Sequence, residues 1–178
     1  MRLPLGEKAP DFSLPGVDGK TCSLQSFPDK PILVILFTCN HCPYVQAYED
    51  RLIAIQKDYA DRGVQLAAIN ANEIRNYPED NFPNMVQRAK KKGYNFPYLR
   101  DEDQSVAEAY GAHYTPEIFV LDRERRLRYT GRIDDNWQNP KEARSHDLRN
   151  ALGALIEGRT VSQPETHAFG CTIKWAKL

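Results

Sequence analysis

The sequence predicts an α/β domain with a mixed central sheet, on three observations. Ile32-Leu33-Val34-Ile35-Leu36-Phe37 is a short, continuous, β-branched apolar run, the pattern of a strand covered on both faces. Residues 43–62 then switch to helical period, and Val64 to Ile69 returns to an apolar strand. That order makes a βαβ unit, which favours parallel strands and a right-handed crossover. Later, Ile118-Phe119-Val120-Leu121 and Leu127-Arg128-Tyr129-Thr130 flank a tight turn at Arg125-Arg126, so an antiparallel hairpin joins the parallel pair.

The remaining elements follow in chain order. Asp11-Phe12-Ser13-Leu14 and Thr21-Cys22-Ser23-Leu24 read as a small N-terminal hairpin around Asp18-Gly19. In the first helix Val45, Tyr48, Leu52, Ile55 and Tyr59 fall at spacings of three and four, and Gly63 is placed to end it. Residues 77–83 read as a loop, followed by a polar helix to about Lys92. Ser105 and Glu108 have the spacing of a capping box for a short helix that Gly111 closes. Asn139-Pro140-Lys141-Glu142 reads as the start of the last helix, with Leu148, Leu152 and Leu155 on one face and Gly158 at its end. The 178 residues suit one domain, residues 1–160, with a tail, 161–178, expected to pack on it because it carries Cys171 and Trp175.

Charge excludes some function classes. There are 24 basic and 24 acidic residues, so nothing favours a nucleic-acid or anionic-membrane partner. The basic runs at 88–92 and 123–126 read as solvated surface. The N-terminus lacks the apolar stretch of a secretory signal, and the longest apolar run is six residues, so a cytoplasmic setting is expected. In a reducing compartment, cysteines at 22, 39, 42 and 171 do not read as a disulfide framework.

The close pair, Cys39 and Cys42, therefore needs a chemical explanation. Two intervening residues let the sulfurs meet across the first helical turn, at a strand-to-helix junction. Unpaired N–H groups and the helix dipole there favour a thiolate. By this spacing Cys39, before the first turn and facing solvent, attacks; Cys42, one turn in, resolves the mixed disulfide. His41 between them is a candidate for tuning the Cys39 thiol. Zinc uses the same spacing but wants two more ligands, and Cys22, Cys171 and His113 stand isolated in the sequence. The pair therefore reads as redox ahead of zinc-binding or inert, with no cofactor and no metal. A second feature is Thr115-Pro116, at the entry of the 118–121 strand. If the bond is cis, it leaves backbone groups free to pair with a substrate peptide; the alternative is an ordinary trans loop proline, which base rates favour where the cysteine pair is left aside.

The order Cys39-Asn40-His41-Cys42 at a strand–helix junction, then Thr115-Pro116 before a hairpin, resembles the thioredoxin-like superfamily. Ala9-Pro10-Asp11-Phe12-Ser13-Leu14 and Gly16-Val17-Asp18-Gly19-Lys20 resemble its redoxin branch, which includes the alkyl hydroperoxide reductase/thiol-specific antioxidant family. Three stretches look like a bacterial peroxiredoxin-like group of uncharacterised redoxins: Thr38-Cys39-Asn40-His41-Cys42-Pro43, Gly131-Arg132-Ile133-Asp134-Asp135 and Gly170-Cys171-Thr172-Ile173-Lys174-Trp175. The resemblance covers nearly the whole chain. It implies a three-layer α/β/α sandwich, a cis Thr115-Pro116 bond that binds substrate, and Cys39 and Cys42 as the redox cysteines.

The departures are informative. Leu33 stands where thioredoxin carries a buried acid, which leaves Glu117 and His41 as candidate proton acceptors. Aligned on peroxiredoxins, Cys42 becomes the peroxidatic cysteine and Cys39 takes the place of the peroxide-positioning hydroxyl; the expected arginine has no clear match, since Thr115-Pro116-Glu117 occupies its neighbourhood, and Arg128 and Arg132 are candidate substitutes that read first as solvated hairpin residues. The expected function is thus a thiol–disulfide oxidoreductase acting on protein or small-molecule disulfides, with an electron-donating thiol system as partner. A thiol peroxidase is the second reading, and a non-enzymatic zinc-stabilised or interaction domain the third. Asn70-Ala71-Asn72-Glu73 is a candidate rim of the site, Asp134-Asp135 a solvated loop or cap, and Cys171 reads as a buried small hydrophobe ahead of a third redox partner.

Overall fold

A computed structural model describes residues 1–176. Thirteen helices and strands frame the fold in chain order: β1 (Leu14–Pro15), β2 (Thr21–Cys22), β3 (Ile32–Thr38), α1 (Pro43–Tyr59), β4 (Val64–Asn70), α2 (Phe82–Lys92), β5 (Tyr98–Arg100), α3 (Ser105–Tyr110), β6 (Tyr114–Thr115), β7 (Glu117–Leu121), β8 (Leu127–Gly131), α4 (Asp147–Ile156) and β9 (Cys171–Thr172). The central sheet has the order β5-β4-β3-β7-β8. β3–β4 and β4–β5 are parallel; β3–β7 and β7–β8 are antiparallel. The mixed sheet expected from the sequence is present.

β3 is central because its side chains are apolar on both faces. Leu33, Ile35 and Phe37 point into one core with α3 and the N-terminal hairpin. Ile32, Val34 and Leu36 point into the other, with α1, α2 and α4. These two cores between three layers are why every β3 position is buried. Each such side chain contributes about 1.5–3 kcal/mol, so the strand that ends at Cys39 is anchored from both sides. α1 ends where the sequence suggests: residues 60–62 tighten into a 3-10 turn and Gly63 takes a φ of 80°.

Three local expectations are corrected. The capping box at Ser105 and Glu108 does not form: Gln104 is the N-cap residue in left-handed conformation, and Asp101 accepts from the Val106 and Ala107 N–H groups instead. Asn139 caps only a 3-10 turn, Pro140–Glu142, and α4 starts at Asp147. The 123–126 run is not simply solvated, since the Arg125 guanidinium donates to the Lys30 and Phe27 carbonyls. Among the described residues no helix is long and apolar enough to cross a membrane.

Beyond α4 the chain returns to the sheet. Thr166 N–H donates to Thr130 O, and Thr130 N–H donates to Pro164 O. β9 then pairs antiparallel with β6, Thr115 opposite Cys171, and Ile173 is buried in the α3-side core. Asn72, Gln104 and the Glu73 N–H bond to the Lys174 backbone just beyond it.

Candidate active site

Cys39 follows the last residue of β3, and Cys42 is the N-cap residue of α1, with Pro43 at the first helical position. A proline fits there because its missing N–H has no helical partner to lose. The loop between the cysteines is held by Asn40, which is buried. Its N–H donates to Asp80 Oδ1 at 2.7 Å, its side-chain amide donates to Glu79 O, and its Oδ1 accepts from the Tyr98 hydroxyl at 2.8 Å.

Both sulfurs are enclosed: Cys39 and Cys42 are each 1% exposed. The expectation of a solvent-facing Cys39 is overturned, because β9 and Thr115 lie over the helix entry where a thioredoxin-like site would open. Cys39 Sγ lies 3.5 Å from Thr115 Oγ1, and Cys42 Sγ lies 3.4 Å from Thr115 O. Cys42 Sγ is also 2.9 Å from Cys171 Sγ. That separation exceeds a bonded S–S length of about 2.05 Å, and all four cysteines are free.

The Cys42 thiol is held well below the ordinary range. The Cys39 thiol bonded to it is the first cause; the Cys171 thiol and the Val45 and Cys171 N–H groups add to it against the cost of burial. Cys39 is pushed up, first by sharing its proton with Cys42, then by burial and the negative Asp80. Cys171 is raised to about 11, by burial first and then by its bond to Cys42 and the Cys42 charge.

Asp80 is the group the sequence reading missed. It is fully buried and accepts from Asn40 N–H, from Asn70 Nδ2 at 3.2 Å and from Asn72 Nδ2 at 3.0 Å. His41 Nδ1 lies 2.7 Å from its Oδ2. The signal available in the sequence was position: Asp80 lies in the loop after β4, whose C-terminal end adjoins the end of β3 that leads into Cys39. Cys39, His41 and Asp80 offer ligand atoms within 4.8 Å of one another, three of the four that a closed zinc site takes.

Glu117 does not serve this site. It is buried, paired with Arg2 at 2.5 Å, and accepts from the His113 and Tyr114 N–H groups, which leaves it a structural role. The Thr115–Pro116 bond is cis, but the Thr115 backbone is not free for a substrate, since β9 pairs with it. Asn70 and Asn72 do border the site, through Asp80 and the tail. Asp134 is not solvated: it is buried and ion-paired with Arg51 at 2.7 Å. Arg128 and Arg132 are paired with Asp122 and Asp147. Cys22 is a buried small side chain in the α3-side core. Cys171 is half-buried and in contact with Cys42.

Comparison with known proteins agrees with this architecture. The family model described as Redoxin matches residues 4–152. The chain is 26% identical over 128 residues to the thiol-disulfide oxidoreductase ResA of Geobacillus thermodenitrificans, a match covering 71% of this chain and 68% of that one. The crystal structure of a hypothetical protein, SMc02350 from Sinorhizobium meliloti 1021, superposes with a TM-score of 0.92 at 41% identity, covering 99% of this chain and 97% of that one. Peroxidoxin BcpB from Mycobacterium tuberculosis, 18% identical, shares the fold with a TM-score of 0.65, covering 89% of this chain and 100% of its own. The sandwich is thioredoxin-like, its family model spans most of the domain, and the chain belongs to the Redoxin family.

Proposed function

We propose that this protein is a thiol–disulfide oxidoreductase that works through Cys39 and Cys42, with Cys42 as the ionised sulfur. The observation that carries the reading is the placement of the pair, Cys39 directly after β3 and Cys42 at the N-cap of α1, where free helix N–H groups favour a thiolate and lower the Cys42 thiol. Its likeness to ResA supports the same chemistry. In the reductive direction β9 first parts from β6 to uncover the pair; the Cys42 thiolate then attacks a substrate disulfide, forms a mixed disulfide and releases one substrate sulfur as a thiolate. Cys39 then gives up its proton and attacks Cys42 Sγ. The second substrate sulfur leaves and takes a proton, and the pair ends as a Cys39–Cys42 disulfide. Two electrons have passed to the substrate, and an external thiol system restores them. Asp80 and His41, beside Cys39, are the groups placed to receive the Cys39 proton. The substrates are protein or small-molecule disulfides, and the setting is a reducing compartment.

Dithiothreitol-driven insulin reduction tests this. Wild type accelerates it, and both Cys39→Ser and Cys42→Ser fall to background. No acceleration by wild type with titratable thiols overturns the reading.

A thiol peroxidase is the second reading, because the ionised cysteine is the one that aligns with the peroxidatic position. Against it, Arg128 and Arg132 are engaged by carboxylates elsewhere. A stopped-flow rate with hydrogen peroxide no faster than that of a free thiol of matched acidity excludes it.

A further inference from the structure

We propose that Cys171 is a third redox cysteine, exchanging with the Cys39–Cys42 pair at Cys42 and carrying the disulfide to the protein surface. The proposal rests on the pair being redox-active and goes beyond it by naming the sulfur that meets the outside thiol. Three independent observations place Cys171 for this. Its sulfur is 2.9 Å from Cys42 Sγ. β9 occupies the edge of β6 directly before Pro116, where an extended peptide would otherwise add as a strand. Cys171 is half-buried, whereas the two cysteines of the pair are closed off.

The resting position of the strand is closely defined. Gly170 passes so close to β6 that a Cβ on it would lie 2.4 Å from Thr115 O. Beyond Cys171, Ile173 N–H donates to His113 O, and the Lys174 backbone is held by Asn72, Glu73 and Gln104. The tail therefore presents a sulfur to Cys42 much as a bound substrate segment would.

The exchange balances without an added oxidant. In the oxidised protein the Cys171 thiol loses its proton and attacks Cys42 Sγ. The Cys42–Cys171 bond forms, the Cys39–Cys42 bond breaks, and Cys39 leaves as a thiolate that takes up a proton. The charge on Cys42, one of the causes that raise the Cys171 thiol, is absent while Cys42 is bonded to Cys39. An external dithiol then attacks the outer sulfur, Cys171, and Cys42 departs as the stabilised thiolate, the better leaving group. The second thiol of the dithiol attacks the mixed disulfide and frees Cys171, which is reprotonated. The donor ends as a disulfide and the protein is reduced by two electrons.

The test oxidises the full-length protein with diamide, alkylates free thiols and maps disulfide-linked peptides. Cys39→Ser is expected to yield an intramolecular Cys42–Cys171 disulfide in most molecules, and adding Gly170→Ala to abolish it. Oxidised Cys171→Ser, holding only Cys39–Cys42, is expected to be reduced by dithiothreitol at least about tenfold more slowly than oxidised wild type. If folded Cys39→Ser keeps its three remaining thiols free while wild type forms Cys39–Cys42, the third-cysteine proposal is overturned and the pair stands. If Cys39→Ser does not fold, the reduction rate of Cys171→Ser decides, and equal rates overturn it. If wild type itself forms no disulfide, the reading of the pair fails instead.

Discussion

Three kinds of group converge on the Cys42 sulfur: a thiol on each side, the backbone N–H groups of Val45 in α1 and Cys171 in β9, and an apolar enclosure that penalises charge. The donors win, which gives a direct expectation. Reduced wild type absorbs as a thiolate at 240 nm at neutral pH, and Cys42→Ser removes that band. Asp80 acts on the neighbouring sulfur. Asp80→Asn removes a negative charge that raises Cys39, so the Cys39 titration moves down. It also deprives buried N–H donors of an acceptor at a cost of about 1–3 kcal/mol, measurable by urea unfolding. Glu117→Gln separates the two candidate acids. It weakens the pairing with a partly exposed Arg2 and costs about 1–3 kcal/mol, while the thiolate band stays unchanged. Cys39 and Cys42 were legible in the sequence because their spacing and their strand–helix junction are local. Asp80 was not, because its role depends on Asn40, Asn70 and Asn72 reaching it from two other segments.

Elements dominated by burial read correctly, and those dominated by capping chemistry did not. β3, α1 and β4 carry strong periodic patterns, and their bounds agree with expectation to within a few residues. Ser105 and Asn139 carry cap-like side chains, but Asp101 reaches α3 from the preceding strand end, and the Asn139 turn closes after three residues. α2 is the case where a cap does hold: Asn81 accepts from Asn84 N–H at 2.9 Å. Asn81→Ala is expected to cost about 1 kcal/mol, read as a lower urea midpoint with an unchanged slope. Because Asp80 immediately precedes that cap, the variant also reports how firmly α2 fixes the acid beside Cys39.

On the scale of the whole molecule, three cysteines whose acidities differ in the folded state make stability depend on pH and on redox state. The Cys42 pKa is depressed on folding, so the stability it gives the reduced protein is fully present above the unfolded thiol pKa of about 8.5 and fades as pH falls through the folded value. The Cys39 and Cys171 values are raised, so what those two contribute is present below that unfolded value and lost as pH rises past it. Reduced wild type is therefore expected to be most stable near neutral to mildly alkaline pH. At pH 7 it melts above the oxidised form, in which Cys42 carries no charge, and calorimetry from pH 5 to 10 on both forms checks this. The three-layer architecture was legible because the continuous apolar run of β3, buried at every position, demands helices or hairpins on both sides. The closing of the site was not, since β9 is two residues long and has no periodicity of its own.

That short strand also sets an order of events during synthesis. Cys171 lies 129 residues after Cys42, so at about 5–20 residues per second the ribosome needs roughly 6–26 s between making the two. Through that interval the strand–helix unit can form while its sulfurs still lack their cover. The nascent domain thus presents both sulfurs of the pair uncovered, and the last strand to arrive decides when access to them is narrowed.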